Sequence, residues 1–299
     1  MTESRTGVSL KTAHSEYGSL QTVFLKRVED AFIDDKNIDR DWQPLHFTGR
    51  PNLETAREEY RLFEAHIRDS GAGIRFLPAD GSLTMDSLYC RDAALSTNGG
   101  MILCNMGKAL RRAESAAQKA AFLAHDIPVL GEIEAPGTLE GGDCAWLDEH
   151  TLAVAHSYRT NEEGIRQLRR LLQPLDVAVL DYSLPHYKGP SDVFHLMSVF
   201  SPVDKDLAVV YSPLMPIAFR NELLRRGYQL VEVPTEEFEM ACNVLALAPR
   251  RCLMLEGYPR TKRALEDAGA IVLTYPGEEI SAKGGGGPTC MSRPVWRSI

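Results

Sequence analysis

The sequence predicts an α/β repeat protein, and three observations carry that expectation. One unit, an amphipathic helix followed by a short break, an apolar strand and a proline or glycine turn, returns five times at a spacing of roughly 40–55 residues. Units of that kind bury their apolar faces against their neighbours. After each turn comes a stretch carrying residues able to do chemistry. The commoner α/β solution, a doubly wound open sheet, would place a glycine fingerprint at the first strand-to-helix turn. The chain has none there.

The first helix follows Asn52, with Leu53, Ala56, Tyr60, Phe63 and Ile67 at helical spacing before Gly71-Ala72-Gly73 and the strand Ile74-Arg75-Phe76-Leu77-Pro78. The second runs from about Ala109 to His125 and leads into Ile127-Pro128-Val129-Leu130. The third starts at Thr160 with Glu163 three residues on, a capping-box signature, and places Ile165, Leu168, Leu171 and Leu172 on one face. Its strand is Val177-Ala178-Val179-Leu180. The fourth begins at Pro216, suited to a first helical turn, and reaches the strand Tyr228–Val233 after Gly227. The fifth runs from Pro259 through Gly269 into Ile271–Tyr275. Further strand-like stretches, Ala208–Tyr211 and Val244–Leu247, give each module one helix and several strands.

Bulk composition narrows the function classes. With 299 residues and 44% hydrophobic content the chain can bury a full core, as two ordinary domains or one large repetitive one. A net charge of -8, with no basic stripe, argues against nucleic acid or an anionic membrane as partner. No signal-peptide core opens the sequence and no apolar run is long enough to cross a bilayer, so a cytoplasmic protein is expected. The six cysteines show no Cys-x-x-Cys pair, and most lie inside apolar runs where structural thiols belong. Cys290 is the exception: it follows Gly284-Gly285-Gly286-Gly287-Pro288-Thr289, where the backbone must turn tightly or let something approach.

The stretches after the turns hold Asp86, Tyr89, Arg91 and Asp92, then Glu140-Gly141-Gly142-Asp143, then Asp192 and His195, then Asn243, then Cys290. If the repeats surround an axis, these residues meet in one central cavity. A thiolate attacks an electrophilic carbon, and an imidazole titrating near neutrality can protonate what leaves. Alone, a Gly-Gly-Asp turn is only a turn, and His195 between Phe194 and Leu196 reads as a core histidine. His186 ranks second to His195. Several convergent carboxylates suit a cationic substrate better than a peptide, and planar guanidinium is the cation that carboxylates grip bidentately. Arg159 at a helix start is placed for an anionic tail, whereas a solvated side chain is the default for Arg111.

With these residues in hand the chain resembles the guanidine-modifying enzymes of the pentein superfamily: arginine deiminases, dimethylarginine dimethylaminohydrolases and amidinotransferases. The resemblance runs from about Tyr17 to the C-terminus, leaving 1–16 as an N-terminal extension and 17–299 as a single catalytic domain. It rests on Asp86 and Asp92, Leu139-Glu140-Gly141-Gly142-Asp143, Ser157-Tyr158-Arg159-Thr160-Asn161, Phe194-His195-Leu196, and Gly286-Gly287-Pro288-Thr289-Cys290-Met291-Ser292. It implies a five-bladed α/β propeller with pseudo-fivefold ββαβ-type repeats around a central active site. By the same resemblance Cys290 attacks the guanidinium carbon to give a thiouronium, and His195 protonates the departing amine and then activates water. Glu140, Asp92 and Asp86 hold the guanidinium, Arg159 and Arg112 bind the α-carboxylate, and Tyr89 lines the substrate channel. Asn243 is the fourth repeat's contribution to the cavity.

No metal or organic cofactor is implied, and the expected partner is a small guanidino substrate such as arginine or an N-methylated arginine, in a possible homo-oligomer. One departure bears on the substrate. Arginine deiminases carry His-x-Asp at the catalytic histidine, whereas Met197 stands here, which favours the dimethylarginine hydrolase type. Conversely, Arg91-Asp92 and the Cys290 loop look deiminase-like. The alternatives are an amidinotransferase and, more remotely, a ribosome-binding pentein without catalysis.

Overall fold

The computed structural model describes residues 11–299. Five small sheets repeat one plan: an antiparallel strand pair, a helix, and a third strand parallel to the second. In the second sheet Ala94–Thr97 pairs with Gly100–Leu103, helix Ala113–Ala124 crosses over, and Val129–Glu132 follows. The third uses Cys144–Asp148, Thr151–His156, helix Glu162–Leu172 and Ala178–Ser183. The fourth uses Phe200–Asp204, Leu207–Val210, helix Ile217–Arg225 and Gln229–Glu232. The fifth uses Leu245–Ala248, Arg251–Leu255, helix Pro259–Asp267 and Ile271–Tyr275.

The first sheet is assembled from both ends of the chain. Ser19–Lys26 pairs antiparallel with the C-terminal strand Ser292–Ser298 and, beyond helix Leu53–Asp69, parallel with Gly73–Leu77. The ring is thus closed by hydrogen bonds between its last and first strands. Packing closes it a second way, because five apolar clusters each bridge one pair of neighbouring sheets. Phe24 meets Ala94 and Met101 across the first and second, and Leu95 meets Trp146 across the second and third. Ala155 meets Phe200, Val209 meets Cys252, and Leu245 meets Leu25 at the remaining three junctions. Each sheet shares its apolar surface with two neighbours, as expected of the five-bladed propeller.

Burial falls outward along each blade. The first strands, such as Ala94–Thr97, are buried throughout, whereas the third strands alternate or lie open, as in Gln229–Glu232. The chemistry-bearing residues ride on the loops feeding the buried inner strands. Asp92, Glu140, His195, Asn243 and Cys290 each lie two to five residues ahead of the first strand of a blade.

Two sequence expectations change here. The third helix is capped by Asn161, whose side chain accepts from Gly164 N, and not by Thr160, whose hydroxyl instead receives the N–H of Glu140. The extension assigned to 1–16 ends too late, and only 1–10 fall outside the described residues. Lys11–Thr12 pairs with the C-terminal strand, His14 stacks on Trp146, and Glu16 is buried in an ion pair with Arg91. Among the described residues no helix is long and apolar enough to cross a membrane.

Candidate active site

Six segments converge on a small inner cavity lined by Asp86, Tyr89, Asp92, Lys108, Arg111, Glu140, Arg159, His195, Gly284–Gly286 and Cys290. It opens into an outer cleft that shares His195, Gly284, Gly285 and Cys290 and is walled by Tyr187, Phe194, Phe238, Met240 and Tyr258. Glu140 leaves the chain at the start of the Gly141–Asp143 turn, and its Oε2 lies 2.8 Å from His195 Nε2. Its other oxygen accepts the Lys108 backbone N–H at 3.0 Å and lies 3.7 Å from Arg159 Nη1. Asp92 accepts Arg111 Nη1 at 2.6 Å and the Gly142 N–H at 3.2 Å. Donor or acceptor atoms of Asp92, Glu140 and His195 gather within 4.8 Å of one another.

The Gly-Gly pair in this turn has a steric reason. A Cβ on Gly142 would stand 2.7 Å from His195 Nδ1 and 2.8 Å from Asp92 Oδ1, so only glycine lets the turn lie against the imidazole and carboxylate. The thiol loop is built the same way. Side chains at Gly284 or Gly286 would collide with Tyr89, and one at Gly287 would lie 2.6 Å from Asn243. Asn243 Nδ2 donates to Cys290 Sγ at 3.0 Å while its Oδ1 accepts the Thr289 N–H, tying the fourth blade to the nucleophile loop. The Arg91 N–H donates to Cys290 O at 3.0 Å.

Electrostatics separate the two reactive groups. Burial alone would lower the His195 pKa, but Asp143, Asp92 and the Glu140 hydrogen bond outweigh it and raise it to about 9, so the ring is an imidazolium at neutral pH. Burial works against ionised Glu140, and its partners His195, Arg159 and Arg111 nevertheless hold it well below the usual carboxylate range. Burial and the nearby Asp92 push Cys290 up to about 11, against the lowering effect of the Asn243 hydrogen bond. Cys290 is half-buried, whereas the other five thiols are buried among apolar neighbours.

Of the nine residues singled out in the sequence, seven line the inner cavity and an eighth, Asn243, lines the outer cleft beside the thiol. Arg112 lines neither. It is exposed and directs Nε to Met106 O, and the cavity-lining basic residue of that pair is Arg111, paired with Asp92, Glu114 and Tyr89 O. Asp86 is no free carboxylate for a guanidinium, because Lys108 Nζ lies 2.6 Å from its Oδ2. Tyr89 does line the cavity and is anchored by donating to Ile280 O. His186 is exposed and pairs with Tyr158 Oη. Neither Lys108 nor the pairing of Glu16 with Arg91 is marked by a motif in the sequence, and Arg111 reads there as a solvated arginine.

Comparisons with known proteins identify the family. A family described as N,N dimethylarginine dimethylhydrolase, eukaryotic, matches residues 35–297. The chain belongs to this family. It is a guanidino-group C–N hydrolase of the pentein superfamily. The uncharacterized protein YkgA of Bacillus subtilis is 27% identical over 286 residues, covering 95% of this chain and 94% of its own. The N(G),N(G)-dimethylarginine dimethylaminohydrolase of Pseudomonas aeruginosa is 27% identical over 244 residues, covering 82% and 90%. The N-terminal domain of a cyanobacterial arginine dihydrolase superposes with a TM-score of 0.77 at 20% identity, over 92% of this chain and 97% of that one. The last likeness is one of fold.

Proposed function

We propose that the protein hydrolyses an alkylguanidinium of the arginine type, including N-methylated forms, by covalent catalysis at Cys290. The observation that carries this reading is the meeting of thiol, imidazole–carboxylate pair and second carboxylate in one cavity. Asp92 and Glu140 receive the guanidinium, and its positive charge beside Sγ favours loss of the thiol proton to water. Sγ then bonds to the guanidinium carbon. As the C–N bond breaks, the His195 imidazolium gives its proton to the departing nitrogen, which leaves as ammonia or an amine. A thiouronium remains on Cys290. Water adds to its carbon, neutral His195 takes the proton, and the C–S bond breaks to return the thiolate and release a ureido product.

Arg159 lines the inner cavity and is the basic residue assigned to the substrate carboxylate. The test is incubation with arginine, methylarginines and agmatine, with and without glycine or lysine as acceptor, reading ureido product and transferred amidine. No product from any guanidine, or activity unchanged in Cys290→Ser, overturns the proposal. Transfer to an amine replaces hydrolysis by the transferase reading. Equal use of agmatine and arginine removes the role given to Arg159.

A further inference from the structure

We propose that Lys108 makes the inner cavity selective for guanidino carboxylic acids that carry no α-ammonium group. The type compound is δ-guanidinovalerate, the arginine skeleton without its α-amine. The inference rests on the Cys290 hydrolase reading and narrows its substrate class.

Lys108 Nζ lies 2.6 Å from Asp86 Oδ2 and 3.1 Å from Leu45 O, and its side chain is only 12% exposed. The protein's own ammonium therefore occupies acceptors at the cavity wall that an incoming ammonium would need. An ammonium brings three donors and no acceptor, so it requires free oxygens. The other carboxylates of the wall, Asp92 and Glu140, are the ones that face the guanidinium. Asp92 is held by Arg111 and Gly142 N, Glu140 by His195 and Lys108 N, and Tyr89 O by Arg111. On the donor side the reverse holds, since Arg159 Nε is buried without a partner.

Charge points the same way. Three carboxylates, Asp86, Asp92 and Glu140, face three basic side chains, Lys108, Arg111 and Arg159, before the cationic His195 is counted. A guanidino acid enters with balanced charge: its guanidinium faces Asp92 and Glu140, and its carboxylate is drawn to Lys108 and Arg159. An α-amino acid of the same skeleton adds a second cation beside Lys108. Like charges brought together at a recognition surface discriminate against the ligand that carries the extra one.

The experiment compares kcat/KM for δ-guanidinovalerate, arginine and an N-methylarginine on the full chain. The expected preference for the deaminated acid is ~10-fold or more. Lys108→Ala frees Asp86 and Leu45 O and is expected to reverse the ratio; Lys108→Gln, which keeps a donor and loses the charge, serves if the alanine variant does not fold. Arginine used as well as the deaminated acid by the wild-type protein overturns the inference. A preference unmoved by either variant overturns the assignment to Lys108. In both cases a mass-shifted Cys290 adduct with any guanidine leaves the hydrolase reading standing, whereas no adduct and no product with any compound removes both.

Discussion

The wall of the cavity formed by Asp92, Glu140 and His195 is held in place by charge, whereas the wall formed by the Cys290 loop is held by missing side chains. On the first, each group has a short polar partner on another loop, Arg111 for Asp92 and Glu140 for His195. On the second, Gly284, Gly286 and Gly287 lie where a Cβ would strike Tyr89 or Asn243, and Asn243 Nδ2 donates to the sulfur. The difference follows from what each wall must do. The charged wall must fix an imidazolium and seat a cation, which calls for preorganised partners. The thiol must come close to a planar substrate carbon, which calls for a thin backbone.

The largest effect tests which wall holds the reacting atom. Cys290→Ser is expected to lower kcat/KM by at least ~10³-fold while leaving the thermal unfolding midpoint unchanged, since its thiol is neither part of an ion pair nor fully buried. A fall in unfolding midpoint that accompanied the lost activity would make the thiol a packing group. The next effect separates the walls. Gly142→Ala presses on His195 and Asp92, so kcat should fall by ~10²-fold through displaced catalytic geometry. Gly286→Ala presses on the buried Tyr89 ring and should cost ~1–3 kcal/mol of stability. Denaturant unfolding beside steady-state kinetics distinguishes them. Matching profiles in the two variants would erase the contrast.

The charged wall was easier to read from sequence than its supports. Glu140, His195 and Cys290 stand in motifs whose residue types announce their chemistry, and the inner strands following them are plainly apolar. The resemblance points to Arg112, and in a string its neighbour Arg111 looks the same. The structure places Ala109–Arg111 in a three-residue-per-turn helix, where positions three apart eclipse, so Lys108 and Arg111 share the cavity side and Arg112 rotates outward. Expecting one irregular turn after Gly107 would have found both. Glu16 falls just outside the resemblance, which begins at about Tyr17, while its partner Arg91 lies 75 residues away. The capping-box spacing points to Thr160, and only the long-range bond from Glu140 N shows that its hydroxyl is spent elsewhere.

A smaller effect is expected in pH dependence. His195 rises from 6.5 to about 9 because Asp143, Asp92 and Glu140 together outweigh burial. Its folded pKa being raised, it adds stability below 6.5 that is lost as pH rises through about 9. Glu140→Gln removes one of those anions. The alkaline limb of kcat/KM should then move to lower pH, and the alkaline loss of unfolding midpoint should begin earlier. An unmoved limb would assign it to another group.

The smallest effect concerns the amide that donates to the sulfur on the thin wall. The Asn243 Nδ2 bond to Sγ at 3.0 Å favours the thiolate, opposing burial and Asp92, which hold the thiol near 11. Asn243→Ala removes that donor and should raise the thiol further, slowing alkylation by neutral iodoacetamide at fixed pH by ~3- to 10-fold, the scale of one hydrogen bond. Because Oδ1 also holds Thr289 N, the same substitution frees the loop, and a loosened loop would speed alkylation by exposing the sulfur. The two consequences have opposite signs. Slower alkylation with an alkaline-shifted profile places the amide in control of the thiolate, whereas faster alkylation at an unshifted pH makes Asn243 a clamp on the loop, and the contrast between a charged wall and a steric one would then be complete.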